Sequence, residues 1–180
     1  PLAKIAARIM AGEKLADLHL PADDREFDYF CVKEAVMPFG RFPGSDVVLG
    51  PEMKSTGEVM GIAGNFPAAF TKTQLAIDYE PPRGGEVFIS VNDGDKRNIT
   101  AIARSIARLG FSLVATTGTA RALRASGIEC EEVGKIHAGS HTILDRIASG
   151  EIVLMINTPF GSSTNTDGYE MRAACVRHGV

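Results

Sequence analysis

The feature that most constrains the fold is a regular alternation of strand-like and helix-like segments in the second half of the chain. The strand-like segments are short and rich in apolar, often β-branched residues, as expected for buried strands. They are Val87–Val91, Ser112–Ala115, Ile128–Val133 and Ile152–Ile156. Because a helix-like segment separates each strand from the next, the pattern predicts an α/β fold with a parallel sheet flanked by helices.

Glycines mark the ends of the helices in this region. Gly110, Gly127 and Gly150 each stand just before one of the strand-like segments. A residue in the left-handed conformation closes a helix, and glycine adopts that conformation without a steric cost. At the other end of the first of these helices, we expect Asp95 to act as the N-cap.

Both ends of the chain suggest a longer polypeptide. We expect a last helix from about Asp167 to Arg177, with Gly179 placed to stop it just before Val180. Pro1 stands almost inside the first predicted helix and is not an initiator methionine. We therefore expect the sequence to be a piece of a larger protein, with its last domain truncated.

The N-terminal part of the chain does not alternate in this way. The sequence predicts helices at Leu2–Met10 and Phe66–Ile77, a strand at Tyr29–Val36, and a long irregular segment between them. Paired prolines and paired glycines within residues 78–85 resist both helix and strand. We therefore predict an irregular α+β region at 1–77, a linker at 78–85 and the α/β domain at 86–180.

The composition excludes two classes of partner. With a net charge of −3 and acidic and basic residues intermixed, the chain has no broad basic surface for nucleic acid. No apolar run approaches the roughly 20 residues that cross a bilayer, and the N-terminus lacks the layout of a signal peptide. Three cysteines far apart in the sequence are expected to be reduced thiols. We expect a soluble, cytoplasmic protein.

The segment 115–120 carries the clearest signal for a binding site. It contains Thr116, Thr117 and Thr119 around Gly118, at a point where a strand ends and a helix begins. Unpaired backbone N–H groups and the positive end of the helix dipole face outward at such a junction. The threonine hydroxyls add donors, and glycine allows close approach to the backbone. The segment therefore predicts an anion site.

Polar residues also follow the other strand-like segments. Ser90 lies at the end of the first strand and Lys96 just after it, Lys135 follows the third strand, and Asn157 and Thr158 follow the fourth. Because ligands of open parallel sheets bind at the carboxyl ends of the strands, these groups are expected to converge. A phosphate-bearing small molecule fits this set. The alternative is that the threonines only cap helices and the lysines are solvated surface charges.

Two histidines invite a metal interpretation. His137 and His141 are four residues apart, but no third ligand stands at a suitable spacing. We expect ordinary polar contacts and no metal site.

Several longer runs resemble the large subunit of carbamoyl-phosphate synthase. Those in the N-terminal region resemble the end of its second synthetase half, of the ATP-grasp type. They are Pro1–Arg8, Val32–Phe39, Phe42–Gly44, Leu49–Met53 and Ser55–Gly61. Those in the C-terminal region resemble the family's methylglyoxal-synthase-like allosteric domain. They are Gly94–Lys96, Ala115–Ala120, Asp145–Ile147 and Ile156–Thr158. The resemblance covers nearly the whole chain.

The resemblance implies a regulatory C-terminal part of a glutamine-dependent, ATP-dependent ligase. It implies a nucleotide monophosphate effector, such as uridine or inosine monophosphate, that tunes carbamoyl phosphate synthesis for arginine and pyrimidine biosynthesis. The parent enzyme uses ATP, Mg²⁺ or Mn²⁺, and K⁺, whereas no catalytic residue, metal or cofactor is implied for this chain. The implied partners are the rest of the large subunit and the glutaminase small subunit, and a homo-oligomer is left open. We expect the chain alone to make no carbamoyl phosphate.

The resemblance also implies roles for individual residues. Lys96, Thr116 and Thr119 match phosphate contacts of the family. Positions that line the rest of the nucleotide pocket are matched by Ser90, Lys135, Asn157 and Asp167. Glu34, with Leu49 beside it, matches a carboxylate that holds the amino group of the activator ornithine. A carboxylate suits a cationic side chain, although Glu34 is alternatively an exposed charge at the end of a strand.

Two other functions remain open at this point. Methylglyoxal synthase has a related fold and phosphate loop, but its lyase chemistry needs a carboxylate base beside the bound triose phosphate. The segment 134–139 lacks the Gly-Gly-Asp element of that enzyme. The second alternative is an oligomerisation module that binds no ligand.

Overall fold

The computed structural model describes residues 2–20, 26–37, 39, 42, 47, 49–134, 142–158 and 162–180, with only the backbone described for 162–167. Within these residues, short 3₁₀ helices span Leu15–Leu18 and Asp93–Asp95. The helices are α1 (Leu2–Met10), α2 (Phe66–Ala76), α3 (Lys96–Arg108), α4 (Thr117–Ala125), α5 (Ile143–Ala148) and α6 (Ser162–His178). The strands are β1 (Phe30–Val36), β2 (Gly57–Ala63), β3 (Glu86–Val91), β4 (Ser112–Thr116), β5 (Glu131–Val133) and β6 (Ile152–Thr158). In this part of the chain no helix is long and apolar enough to cross a membrane.

The C-terminal region is a parallel four-stranded sheet between two layers of helices. The strand order is β5-β4-β3-β6, and each neighbouring pair is parallel. Residues of α3 and α4 pack on one face of the sheet, and residues of α5 and α6 pack on the other. The predicted α/β fold class is therefore confirmed.

Strand β3 is the centre of the core because both of its faces are covered. Val87 and Ile89 pack with the α3–α4 layer, whereas Phe88 packs with the α5–α6 layer, and all three are almost completely buried. A strand covered on both faces has a continuous apolar sequence rather than an alternating one. The run Val-Phe-Ile at 87–89 has this character.

The strand order places a topological switch point beside β3. From β3 the chain moves outward through β4 to β5, and then returns to place β6 on the other side of β3. Ligands of open α/β sheets bind in the crevice outside the carboxyl ends of the strands at such a point. The ends of β3 and β6 therefore flank the place where a ligand is expected.

The glycine stops are confirmed, but the predicted cap of α3 is wrong. Gly110, Gly127 and Gly150 have φ angles of 92°, 71° and 77°. Asp95 stands at the N-cap position, yet its backbone is helical and its side chain makes no cap hydrogen bond. The preceding 3₁₀ turn is capped instead by Asn92, whose Oδ1 accepts from the backbone N–H groups of residues 94 and 95.

Three element boundaries also differ from the prediction. The third strand of the α/β region is only Glu131–Val133, and the last helix begins at Ser162 rather than near Asp167. Residues 162–166 are serine, threonine and asparagine, which favour caps and turns over helix interiors. The first turn of the last helix was therefore not predicted. In the N-terminal region, β2 lies within the segment predicted to be irregular, because its glycines weaken the strand pattern.

The N-terminal region contains an antiparallel hairpin covered by a helix. Strands β1 and β2 pair from Phe30 opposite Ala63 to Val36 opposite Gly57, and α2 contacts both strands. A Cβ atom on Gly61 would stand 2.0 Å from the carbonyl oxygen of Ala69, so only glycine permits this approach. Residues 77–85 form no helix or strand. The division into 1–77, 78–85 and 86–180 stays a prediction.

A buried arginine connects the amino ends of the strands. The Arg146 side chain is 8% exposed and forms ion pairs with Glu86 at 2.6 Å, Glu131 at 2.7 Å and Glu151 at 3.3 Å. The hydrogen bonds that Arg146 donates, first to Glu131 and then to Glu86, raise the pKa of Arg146 further above its ordinary value. The same contact lowers the pKa of Glu131. This cluster lies at the opposite edge of the sheet from the predicted ligand site.

Candidate functional site

Three polar side chains form a row across the carboxyl edge of the sheet. Ser90 of β3 is in register with Asn157 of β6, and Thr116 of β4 lies on the other side of Ser90, with its Oγ1 3.5 Å from the Ser90 Oγ. The Nδ2 atom of Asn157 is buried and has no hydrogen-bond partner among the described residues. Because an unpaired buried donor is costly, such an atom indicates an acceptor that binds there.

The N-terminus of α4 opens beside this row. Thr116 is its N-cap, with an extended backbone and no side-chain cap hydrogen bond. The first N–H groups of a helix have no partner within the helix, so an acceptor from outside can bind them. Thr117 and Gly118 are exposed in this first turn. The predicted strand-to-helix junction is therefore present.

Lys96 places its charge at this helix end. A Cβ atom on Gly118 would lie 3.1 Å from the Lys96 Nζ, so the ammonium group stands against the first turn of α4. The Nζ also forms an ion pair with the Asp93 Oδ1 at 2.5 Å, and this contact lowers the pKa of Asp93. A cation and the positive end of a helix dipole together make a favourable environment for an anion.

Thr119 and Thr158 stabilise the backbone around the site through hydrogen bonds. The Thr119 side chain is almost fully buried, and its Oγ1 accepts a hydrogen bond from the Val91 N–H at 3.3 Å. The Thr158 Oγ1 accepts hydrogen bonds from the backbone N–H of Asn92 at 3.1 Å and from its Nδ2 at 3.2 Å. These contacts hold the end of β3 between α4 and the end of β6.

Asn92 is a site residue that sequence reasoning missed. It caps the 3₁₀ turn that leads into α3, bonds to Thr158, and donates to the Asp95 Oδ2 at 2.6 Å. Asparagine before an Asp-Gly pair is a turn signal. That signal could have identified the cap, but not the bond to Thr158, which is 66 residues away.

The side chains of some residues singled out in the sequence lie outside the part of the chain that the structure describes. Lys135, His137 and His141 lie outside the described residues, and Asp167 lies in α6 where only the backbone is described. The structure thus brings together Lys96, Ser90, Asn157 and the threonines at 116, 117, 119 and 158. Within the described residues no three His, Cys, Asp or Glu side chains form a group that could hold a metal ion.

Glu34 lies between the hairpin and α2. Its Oε2 accepts hydrogen bonds from the Thr73 Oγ1 at 2.6 Å and from the Gln74 Nε2 at 2.5 Å. Thr73 is completely buried, whereas Leu49 is 61% exposed. Glu34 is therefore a half-buried carboxylate with two neutral donors, and the match to an ornithine site stays a prediction.

A groove of about 740 Å³ lies at the opposite, amino edge of the sheet. Its charged lining is mixed, with Arg104 and Arg108 facing Glu86, Glu129 and Glu131. This mixture gives an anion no net attraction. The carboxyl edge is therefore the better candidate for the predicted phosphate site.

The family comparison concerns the C-terminal region. Residues 98–180 match the family model described as the MGS-like domain. The matched segment contains strands β4, β5 and β6 of the parallel sheet described above.

The relatives with similar sequences share the name of one enzyme subunit. The chain is 48% identical over 179 residues to a carbamoyl phosphate synthase large chain from Myxococcus xanthus, covering 99% of this chain and 16% of that protein. It is 46% identical over 180 residues to the large chain from Methanothrix thermoacetophila, covering 100% of this chain and 17% of that protein. A protein from Methanopyrus kandleri, named carbamoyl phosphate synthase large chain, C-terminal section, is 50% identical over 185 residues, covering 100% of this chain and 34% of that protein.

The resemblance stated from the sequence is therefore confirmed. The chain is similar along its whole length to carbamoyl phosphate synthase large chains, including one named as a C-terminal section. It spans about a sixth of the first two relatives and about a third of the last.

Proposed function

We propose that this chain is a regulatory module of a carbamoyl phosphate synthase large chain and binds a nucleotide monophosphate effector at the carboxyl edge of its sheet. The observation that carries the proposal is the convergence of the Lys96 ammonium, the uncapped N-terminus of α4 and the row from Thr116 to Asn157. Charge, backbone donors and hydroxyls there suit a phosphate.

The arrangement supports an orientation for the ligand. The phosphate lies beside Lys96 and Gly118, where the cation and the helix dipole act together. The sugar and base extend toward Ser90 and Asn157 at the switch point, where the buried Nδ2 donates to an acceptor of the ligand. Thr119 then acts by positioning β3 and the first turn of α4.

The relatives' names support the enzyme context of this proposal, and the regulatory role is part of the proposal itself. In the proposed assembly the module belongs to an ATP-dependent ligase in the cytoplasm, with the remainder of the large chain and a glutaminase subunit as partners. A cation such as ornithine would bind at Glu34 in the N-terminal region. The inactivity of the chain alone in carbamoyl phosphate synthesis remains a prediction.

Calorimetric titration with uridine and inosine monophosphate tests the proposal. Lys96→Ala removes a charge-assisted contact and is expected to weaken binding by about 1.5–3 kcal/mol, roughly tenfold to a hundredfold. Arg97→Ala is the matched control, because Arg97 is the next residue and is exposed. Arg97→Ala is expected to change the nucleotide affinity by less than about twofold. Equal affinities for both variants and the parent chain would contradict the proposed site.

A further inference from the structure

Lys96, on which the proposed phosphate contact depends, already has an anionic partner. The Asp93 Oδ1 is 2.5 Å from its Nζ, and the two residues are three apart across the 3₁₀ turn. The Asp93 side chain is 94% exposed, whereas the Lys96 side chain is only 28% exposed. The lysine is therefore fixed against α4, and the carboxylate is the member of the pair that can move into solvent.

We propose that Asp93 competes with the ligand phosphate for Lys96 and thereby lowers the affinity of the site for every phosphate that contacts this lysine. This inference rests on the proposed function and adds a residue that lowers the ligand affinity of the same site. Asp93 does not contact the ligand in the bound state. It acts through the ion pair that the ligand has to replace.

The cost of displacement is the same for every ligand that takes Lys96, because the same ion pair is broken each time. A phosphate monoester has a second pKa of about 6 and carries a charge of about −1.5 to −2 at pH 7. Its additional charge and oxygens engage the free N–H groups of α4, so it is expected to bind more tightly than a monoanionic diester with or without Asp93. Competition by Asp93 therefore lowers both affinities by a similar factor.

The pair is weak enough to be displaced. Exposed ion pairs contribute little to stability, because water competes for both partners. Displacement exposes a carboxylate that is already almost fully solvated. We therefore expect the competition to change affinities about threefold to tenfold, a range that calorimetry resolves.

The test compares two ligands of nearly equal shape. Uridine monophosphate is a dianion near pH 7.5, and its methyl phosphate ester retains the nucleotide but carries a single charge. The parent chain is expected to prefer the dianion. Asp93→Asn is expected to increase the affinities for the methyl ester and for the monophosphate by a similar factor of about three to ten. A clearly larger gain for the dianion would show that Asp93 repels the ligand and would overturn the competition model. Glu129→Gln, which removes an exposed charge before β5, is the control for net charge.

A double-mutant cycle separates competition from simple repulsion. If Asp93 acts through Lys96, the gain from Asp93→Asn disappears when Lys96 is already alanine. If the gain persists in the Lys96→Ala background, Asp93 only repels the ligand and the competition model is wrong. An Asp93→Asn variant with unchanged affinities overturns the inference. If Lys96→Ala nevertheless lowers the nucleotide affinity, the proposed function is not contradicted. If neither ligand binds the parent chain, both proposals fall together.

Discussion

At the scale of single residues, the site depends on the absence of a side chain at Gly118. The Lys96 ammonium occupies the space into which a side chain at this position would project. Gly118 has no left-handed φ angle, so conformational freedom is not the reason for a glycine here. The absent Cβ allows a cation to stand directly against the first turn of α4, where the helix dipole favours an anion beside it.

Gly118→Ala is therefore expected to weaken nucleotide binding without destabilising the fold. A Cβ at 3.1 Å displaces the Lys96 Nζ by a few tenths of an ångström, and we expect about a threefold to tenfold loss of affinity. Alanine is favoured over glycine within helices by up to about 1 kcal/mol, so the melting temperature should not fall. Calorimetry and thermal unfolding measure the two effects. Gly84→Ala, at a position with open space, is the control.

At the scale of secondary-structure elements, Arg146 connects α5 with the starts of β3, β5 and β6. Its partners Glu86, Glu131 and Glu151 stand 60, 15 and 5 residues away in the sequence, with Glu86 and Glu131 hydrogen-bonded to it. The cluster places one positive charge among three carboxylates. Removing the arginine leaves these carboxylates close together without compensation.

Arg146→Met is expected to lower the free energy of unfolding at pH 7 by about 2–4 kcal/mol, because the three carboxylates lose their cation. The loss is limited because two of these carboxylates are partly solvated. In the parent chain the pKa of Glu131 is lowered, so its contribution is present above the ordinary glutamate pKa and lost as the pH falls through the lowered value. Protonation relieves the repulsion in the variant. The difference between the two proteins should therefore shrink toward about pH 4.

Urea unfolding at both pH values measures this difference. Arg108→Met, which removes an exposed arginine, should change the stability little at either pH. A deficit of equal size at both pH values would show that the lost packing of Arg146, rather than its charge, is responsible.

Local signals explain which elements could be predicted. The glycine stops at 110, 127 and 150 could be predicted because they depend on single residues. The topology of a parallel sheet brings the ends of its strands together, so the edge that holds Ser90, Thr116 and Asn157 could also be predicted. The Arg146 cluster and the bond from Asn92 to Thr158 join distant segments and leave no local pattern. The pairing of Lys96 with Asp93 depends on side-chain geometry across a 3₁₀ turn that was not predicted.

At the scale of the whole molecule, the buried side chains are unevenly distributed. Among the described residues before 78, the buried side chains are those of Leu18, Ala69 and Thr73, and α1 has none. The two larger clusters of buried residues lie entirely between residues 87 and 175. Stability against local opening follows buried contacts, so the N-terminal region is expected to open more readily.

Native-state hydrogen exchange tests this expectation. Amides of β1, β2 and α2 should exchange through openings of lower free energy than those of β3 and β4. Adding a saturating nucleotide should slow exchange in the C-terminal sheet by more than in the hairpin, because the proposed ligand binds only there. Equal protection of both regions would contradict the expectation.

The position of β3 also determines the order in which the sheet can assemble. Its pairing with β4 joins residues about 26 apart, such as Val87 and Leu113, whereas its pairing with β6 joins residues about 67 apart, such as Val87 and Leu154. Closing the longer loop costs more chain entropy and slows folding. The pairing of β3 with β6 is therefore expected to form last. Because Ser90 and Asn157 face each other across this pairing, we expect the ligand crevice to be completed only in the final step of folding.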